Sequence, residues 1–134
     1  MWRIGLFSRK PTPLSGTPVK RRIKSYSAES GYVYEYTYEG HRPWRDGTGR
    51  GVEFAFRISA GRAQWLPTAV VVADRALTAW ESARERKLSS TERYAIAKLA
   101  LFQAFDERPA PPVAALEVNV TPADVEDIAE RLGF

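Results

Sequence analysis

His41 is the only histidine of the chain, and it stands in a segment rich in glycine and arginine. An imidazole can act near neutral pH as a general base or as a proton switch. A catalytic role would require a buried pocket that joins His41 to a carboxylate such as Glu53. The sequence places no serine, cysteine or second carboxylate visibly beside this histidine. We therefore interpret His41 as a surface-loop residue and keep a small enzyme with a site near it as the second alternative function.

The run from Asp46 to Gly51 alternates glycine with polar residues and invites comparison with phosphate-binding loops. It lacks the Gly-Lys-Ser/Thr ending of such a loop, and it leads into a predicted strand instead of a helix. Turn formation explains the glycines better. Three arginines in this part of the chain remain candidate contacts for an anion. They are Arg42, Arg45 and Arg50.

The most informative pattern lies between residues 19 and 38, where a basic strand is followed by a strand with four tyrosines at period two. Successive side chains of a strand point to opposite faces, so the four tyrosines share one face of the sheet. That face either fills a core or forms an exposed binding platform. We expect it to point inward. The four residues are Tyr32, Tyr34, Tyr36 and Tyr38.

Two registers of this hairpin are possible, and they differ by one residue. If Ala28 pairs with Tyr32 across a three-residue loop, the basic side chains share a face with the tyrosines. If Ala28 pairs with Gly31 across a two-residue loop, Lys24 meets Glu35 and an ordinary amphipathic hairpin results. The glycine favours the first register, whereas charge pairing and the separation of apolar side chains favour the second. We expect the second.

The first register defines a candidate site for nucleic acid or another anion. Its cations would follow phosphates, and its tyrosines would stack on exposed bases, as in proteins that bind single strands. The candidate residues are Lys20, Arg22, Lys24, Tyr34 and Tyr36 of the hairpin, together with Arg42, Arg45 and Arg50.

Large aromatic residues supply the candidate protein interface, because tryptophan is enriched where partners dock. Trp44 lies in the glycine-rich segment, and Trp65 lies in a predicted strand, residues 64–72, whose proline restricts it to a sheet edge or a bulge. Only Lys98 and Gln103 are polar in the predicted helix from Tyr94 to Phe105, so this helix is central or lies in an oligomer interface. The predicted interface residues are Trp65, Trp44, Phe102 and Phe105.

The composition of the 134-residue chain, 44% hydrophobic and 27% charged, matches an ordinary soluble domain with one core. The absence of cysteine excludes disulfides and cysteine-ligated zinc and suits a reducing compartment, so we expect a cytoplasmic protein. With a single histidine as well, we expect no metal and no cofactor. No stretch approaches the length of a membrane span. A weak peripheral membrane contact through Trp2 and Phe7 is conceivable but not favoured.

The net charge of +4 hides a separation of charge along the chain. Residues 1–24 carry seven lysines or arginines and no acid, whereas residues 106–134 carry a net charge of −5. Opposite signs at the two ends indicate an anionic partner for the basic end, or contact between the ends within one chain or between two. Solvated faces that aid solubility are the interpretation we favour.

The order of predicted elements gives the fold class. Residues 1–18 are predicted to form a flexible, basic, proline-rich tail, and residues 19–134 a single α+β domain. Helix starts are predicted at Ser89, with a capping box, and at Thr121, whereas segment 40–51 is predicted as a long turn-like loop. The result is an α+β fold: an antiparallel sheet of three to five strands, with two central helices and a C-terminal helix packed on one face.

Because the sequence shows no catalytic constellation, the leading functional hypothesis is a non-catalytic interaction module, an adaptor or structural protein. Its partner would be another protein or a second copy of the chain. The first alternative is a nucleic-acid-binding domain that uses the basic, tyrosine-rich hairpin and the basic tail.

Overall fold

The computed structural model describes residues 12–61 and 64–134. In these residues the chain forms five strands and three helices. They are β1 (Lys24–Ser27), β2 (Val33–Asp46), β3 (Gly49–Ala60), β4 (Leu66–Ala73), α1 (Asp74–Arg84), α2 (Ser90–Glu107), β5 (Leu116–Asn119) and α3 (Pro122–Leu132). Most of the predicted N-terminal tail, including Trp2 and Phe7 of the conceivable membrane contact, lies outside the described residues.

The five strands form one sheet in the order β1-β2-β3-β4-β5. The predicted α+β class is confirmed, and the predicted antiparallel sheet is confirmed for three of the four strand pairs, but β5 pairs with β4 in parallel, so the sheet is mixed. The chain passes through α1 and α2 between these strands, and such a crossover returns it in the same direction. The prediction that Pro67 restricts its strand to a sheet edge or a bulge is wrong, because β4 is an interior strand. The proline is tolerated there because the β5 ladder begins only at Thr68, the next residue.

The segment 40–51, predicted to be a loop, is a β-hairpin instead, and that prediction is wrong. β2 continues to Asp46, and β3 begins at Gly49 after a two-residue turn. The Asp46 carboxylate closes this turn, since its Oδ1 accepts hydrogen bonds of 2.7 Å from both the backbone N–H and the hydroxyl of Thr48. Gly51 lies directly against β4, where a Cβ would stand 2.3 Å from the carbonyl oxygen of Val72. The glycines of this segment thus allow a tight turn and the close packing of β3 against β4.

The first hairpin adopts the register that the sequence disfavoured, so the expectation of a two-residue loop is wrong. The Ala28 N–H donates to the carbonyl oxygen of Tyr32 at 2.9 Å, and Gly31 occupies a left-handed conformation with φ of 95°. In this register Tyr26 points toward α2 and stacks on Phe102, with ring centroids 4.2 Å apart. A half-buried aromatic stack of this kind outweighs the charge pairs of the other register.

The tyrosines of β2 point into the core, as expected. Tyr34 is fully buried and stacks on Phe105, and Tyr36 is 4% exposed. Tyr38 is half-buried, and Tyr32, which precedes the strand, is exposed. The inward orientation is therefore confirmed for the two central tyrosines, although the register that places them there is the three-residue-loop one.

The helix starts predicted for α2 and α3 are confirmed. In α2 the Ser89 hydroxyl accepts from the Glu92 N–H at 3.1 Å, and the Glu92 carboxylate accepts from the Ser89 N–H at 2.9 Å. Thr121 and Asp124 form the same reciprocal pair at the start of α3. Each pair satisfies two N–H groups that a helix start leaves without partners.

One hydrophobic cluster connects the strands to the helices. Trp80 of α1, Leu101 of α2 and Ile128 of α3 are all nearly inaccessible within it. The contact of α2 with the first hairpin continues from Tyr94 to Phe105 through stacked and tilted rings. This contact fixes the position of β1 at the border of the sheet.

Candidate protein-binding edge

β1 is the first strand of the sheet, and its outer edge pairs with no strand in the described part of the chain. Hydrogen-bonded and non-hydrogen-bonded pairs alternate along an antiparallel ladder. Because Ala28 and Tyr32 form a hydrogen-bonded pair, Tyr26 and Lys24 also direct their backbone groups toward β2. The N–H and C=O groups of Ser25 and Ser27 therefore point outward. These outward groups, with the strand that carries them, are named here the open β1 edge.

Exposed aliphatic side chains accompany the open β1 edge. Ile23, just before the strand, is 60% exposed, and Val33, opposite Ser27 in the ladder, is 50% exposed. Of the five large hydrophobic side chains exposed in residues 12–61 and 64–134, four fall between residues 19 and 33. A concentration of exposed apolar surface beside unpaired backbone groups is typical of a place where another chain binds.

Two lysines meet on the side of β1 that contacts α2. Lys98 of α2 lies over the rings of Tyr36 and Phe102, with its ammonium group 5.9 Å from each centroid. Burial, followed by the charge of the adjacent Lys24, lowers the pKa of Lys98. Neither lysine forms an ion pair with a described residue. Two adjacent cations that form no ion pair within the described ranges favour the approach of an anionic group.

The hairpin is anchored to the end of α2 through Asp106. The Tyr26 hydroxyl donates to one carboxylate oxygen of Asp106 at 2.7 Å, and the Glu29 N–H donates to the other at 2.9 Å. Burial and the hydrogen bond to Asp106 raise the pKa of Tyr26 to about 12. One acid of the negative C-terminal region thus contacts the basic hairpin within the chain.

The residues predicted to bind nucleic acid or another anion lie in three separate places. Lys20 and Arg22 are exposed ahead of β1, and Lys24 begins the strand. The rings of Tyr34 and Tyr36 are buried against aromatic residues of α2 and β3, so they offer no free face to a base.

The three arginines of the glycine-rich segment are apart from the first hairpin. Arg42 forms an ion pair with Glu53 at 3.2 Å and donates to the carbonyl oxygen of Thr12 at 3.0 Å. Arg45 and Arg50 are partners across the β2–β3 ladder, close to the turn. The structure therefore brings Arg45 and Arg50 together but leaves Arg42 at a different position.

The four predicted interface residues are also dispersed. Trp44 is half-buried beneath Arg75, whose guanidinium carbon is 5.7 Å from the ring centroid, and Trp65 is half-buried just before β4. Phe102 is half-buried under Tyr26, and Phe105 is fully buried. Phe105 thus serves the interior of this chain, whereas the two tryptophans and Phe102 retain some exposed surface.

His41 lies in β2 and is half-buried, so its predicted position in a surface loop is wrong. Its Nδ1 is 3.3 Å from the Tyr38 hydroxyl, and its ring is 6.1 Å from that of Phe54. A cavity adjoins the imidazole, but no carboxylate from the described residues lines it, and Glu53 pairs with Arg42 instead. Residues 12–61 and 64–134 also contain no group of three side chains suited to a metal ion.

Sequence reasoning did not identify Lys98, or the outward backbone groups of Ser25 and Ser27, as part of a binding site. The position of Lys98 beside aromatic rings could have been predicted from the sequence, because Lys98 is four residues from both Tyr94 and Phe102 and so shares their helix face. The outward direction of the Ser25 and Ser27 backbone groups could not have been predicted in this way, since it depends on the register of the hairpin.

Comparison of the chain with protein-family models, with curated proteins and with solved structures yields no match. None of the helices in the described residues is long and apolar enough to cross a membrane. The open β1 edge and its two lysines are therefore interpreted from their own geometry.

Proposed function

We propose that this protein is a non-catalytic interaction module that binds an extended segment of a protein partner by adding it as a strand to the open β1 edge. The observation that carries the proposal is the pair of outward N–H and C=O groups at Ser25 and Ser27. In strand addition the main chain supplies hydrogen bonds, and alternate side chains supply specificity. The proposal takes the three helices to cover the face of the sheet that holds the tyrosines.

The two sides of β1 define the chemistry of the partner strand. On the side that contacts α2, Lys24 and Lys98 can bind an anionic group. On the opposite side, the exposed side chains of Ile23 and Val33 form an apolar surface. Because strand side chains alternate between faces, a segment that alternates acidic and aliphatic residues satisfies both sides. The exposed cations before the strand add attraction for an acidic chain over longer range.

A second copy of this chain is a poorer partner for the same edge. As the incoming strand, residues 20–27 carry four cations and no acid, so they supply no anionic group for Lys24 and Lys98. We therefore propose a partner of different sequence, and self-association through this edge becomes an outcome of the test.

A matched pair of variants tests the proposal. Ser25→Pro removes one outward N–H donor without removing a β1–β2 hydrogen bond, whereas Ser25→Ala removes only the hydroxyl. The probe is a labelled peptide of alternating glutamate and valine, with a lysine–valine peptide as the charge control. We expect the alanine variant to bind like the wild type and the proline variant to bind at least about tenfold more weakly.

Thermal unfolding of each variant shows whether the hairpin remains folded. Equal binding by a folded Ser25→Pro variant would contradict strand addition. A dimer in light scattering that the proline variant abolishes would make a second copy the partner.

Nucleic acid is the alternative ligand, and the exposed Lys20 and Arg22 favour it. The buried rings of Tyr34 and Tyr36 remove the predicted stacking platform, so binding would rest on phosphate contacts alone. Titration with oligothymidylate at increasing salt distinguishes the two ligands. Affinity for DNA that exceeds affinity for the acidic peptide and falls steeply with salt would favour this alternative.

A further inference from the structure

A cavity of about 310 Å³ opens between the second half of β2, the middle of β3 and the first turns of α2. It lies beyond the open β1 edge along the same helix. Its volume is at the lower end of the range for small-molecule sites. The cavity is therefore large enough for a single-ring ligand and too small for a folded partner or an extended chain.

Four of its nine described lining residues carry aromatic rings. The rings of Tyr38 and Tyr94 are 4.7 Å apart, and that of Phe54 is 6.1 Å from Tyr94. His41 stands at the border, with its Nδ1 near the Tyr38 hydroxyl and its ring 6.1 Å from Phe54. Aromatic side chains that line a cavity can also make stacked or edge-to-face contact with the ring of a ligand.

The polar side of the cavity is basic. Arg93 lines it together with the hydroxyl residues Ser90 and Thr91, and no acidic residue from the described ranges lines it. The nearest counter-charge of Arg93 is Glu81, at 3.7 Å, and Glu81 also accepts the Leu88 N–H at 2.8 Å. The Arg93–Glu81 distance is longer than a hydrogen bond, and the Arg93 side chain remains 26% exposed. A guanidinium in such a long ion pair retains donors that can hold a carboxylate.

We infer that this cavity is a binding site for a small aromatic carboxylate, whose ring lies against Phe54 and Tyr94 and whose carboxylate meets Arg93. The aromatic wall provides contact area, and the arginine provides orientation and selection for the anion. The site is separate from the open β1 edge, so it extends the proposed function and does not depend on it.

Benzoate tests the inference, with benzyl alcohol as a neutral single-ring molecule of similar size. Binding to the full chain is followed by NMR shifts of the aromatic side chains. We expect a dissociation constant on the order of 1 mM for benzoate, with shifts at the Tyr38, Tyr94 and His41 rings. Benzyl alcohol should bind about tenfold more weakly, because it has no charge for Arg93.

Two variants separate the contributions of charge and shape. Arg93→Gln should weaken benzoate about tenfold and leave benzyl alcohol unchanged, whereas the exposed Arg131→Gln should change neither. Thr91→Trp fills the mouth of the cavity from an exposed helix position and should weaken both ligands.

Three results would each overturn the inference: no benzoate binding by the wild type at about 10 mM, equal affinity for benzoate and benzyl alcohol, or undiminished benzoate binding by Thr91→Trp. If Arg93→Gln fails to fold, the Thr91→Trp result and the wild-type comparison of the two ligands still decide the matter.

Discussion

The rings of Tyr34 and Phe105 lie parallel, with centroids 3.9 Å apart and planes inclined by 5°, and both side chains are completely buried. This stack joins the start of β2 to the last turns of α2. The Tyr34 hydroxyl is also buried, and no hydrogen-bond partner for it is found among the described residues. The position thus needs an aromatic ring but gains nothing from the oxygen.

Tyr34→Phe should therefore leave the stability of the protein unchanged or raise it by about 1 kcal/mol, because it removes a buried polar group without a partner. Tyr34→Ala should lower stability by about 3–5 kcal/mol, since it leaves a cavity against Phe105. Urea unfolding followed by circular dichroism measures both. A clear loss of stability in Tyr34→Phe would show that the hydroxyl is hydrogen-bonded after all.

Stability at acid pH should depend on Glu92 of the capping box. The hydrogen bond from Arg86, followed by that from the Ser89 N–H, lowers the pKa of Glu92 to about 2. A depressed folded-state pKa adds stability above the unfolded value, near 4.5, and this contribution is lost as the pH falls toward 2.

The thermal midpoint of the wild type should thus fall over this interval, and Glu92→Gln should flatten the fall. Glutamine keeps an oxygen for the Ser89 N–H, so the variant isolates the charge. The exposed Glu126→Gln is the control and should retain the wild-type profile. An identical acid slope in Glu92→Gln and wild type would assign the effect to other carboxylates.

Lys98 should contribute to peptide binding without being required for folding. Lys98→Gln removes one of two adjacent cations, so we expect unchanged or slightly higher stability. Affinity for the glutamate–valine peptide should fall about tenfold, because a charge-assisted contact is lost.

Arg57→Gln removes the same charge from an exposed position of β3 and serves as the control. Isothermal titration at two salt concentrations measures the effect. A loss of affinity shared equally by the two variants would indicate general electrostatic attraction and no specific role for Lys98.

Local signals in the sequence predicted the parts of the fold that depend on neighbouring residues. The starts of α2 and α3 followed from cap residues three positions apart, at Ser89 and Thr121. The alternation of the β2 tyrosines likewise gave a shared inward face. In each case the physical cause lies within a few residues of the pattern.

Contacts distant in the sequence explain what was missed. The hairpin register depends on Tyr26 reaching Phe102, and the parallel position of β5 depends on the path of two helices. The glycines of segment 40–51 indicate turns equally well for a loop and for a hairpin. The candidate site could not be predicted for the same reason, because Lys24 and Lys98 become neighbours only when α2 packs on the hairpin.

The attachment of Tyr26 and Glu29 to Asp106 bears on how an incoming strand would bind. Since β1 is already held in its final geometry, little conformational entropy is lost on this side of the complex. Nearly all of the conformational entropy lost on binding is then lost by the incoming segment. Cyclising or otherwise rigidifying that segment should consequently improve affinity more than any stiffening of the hairpin itself.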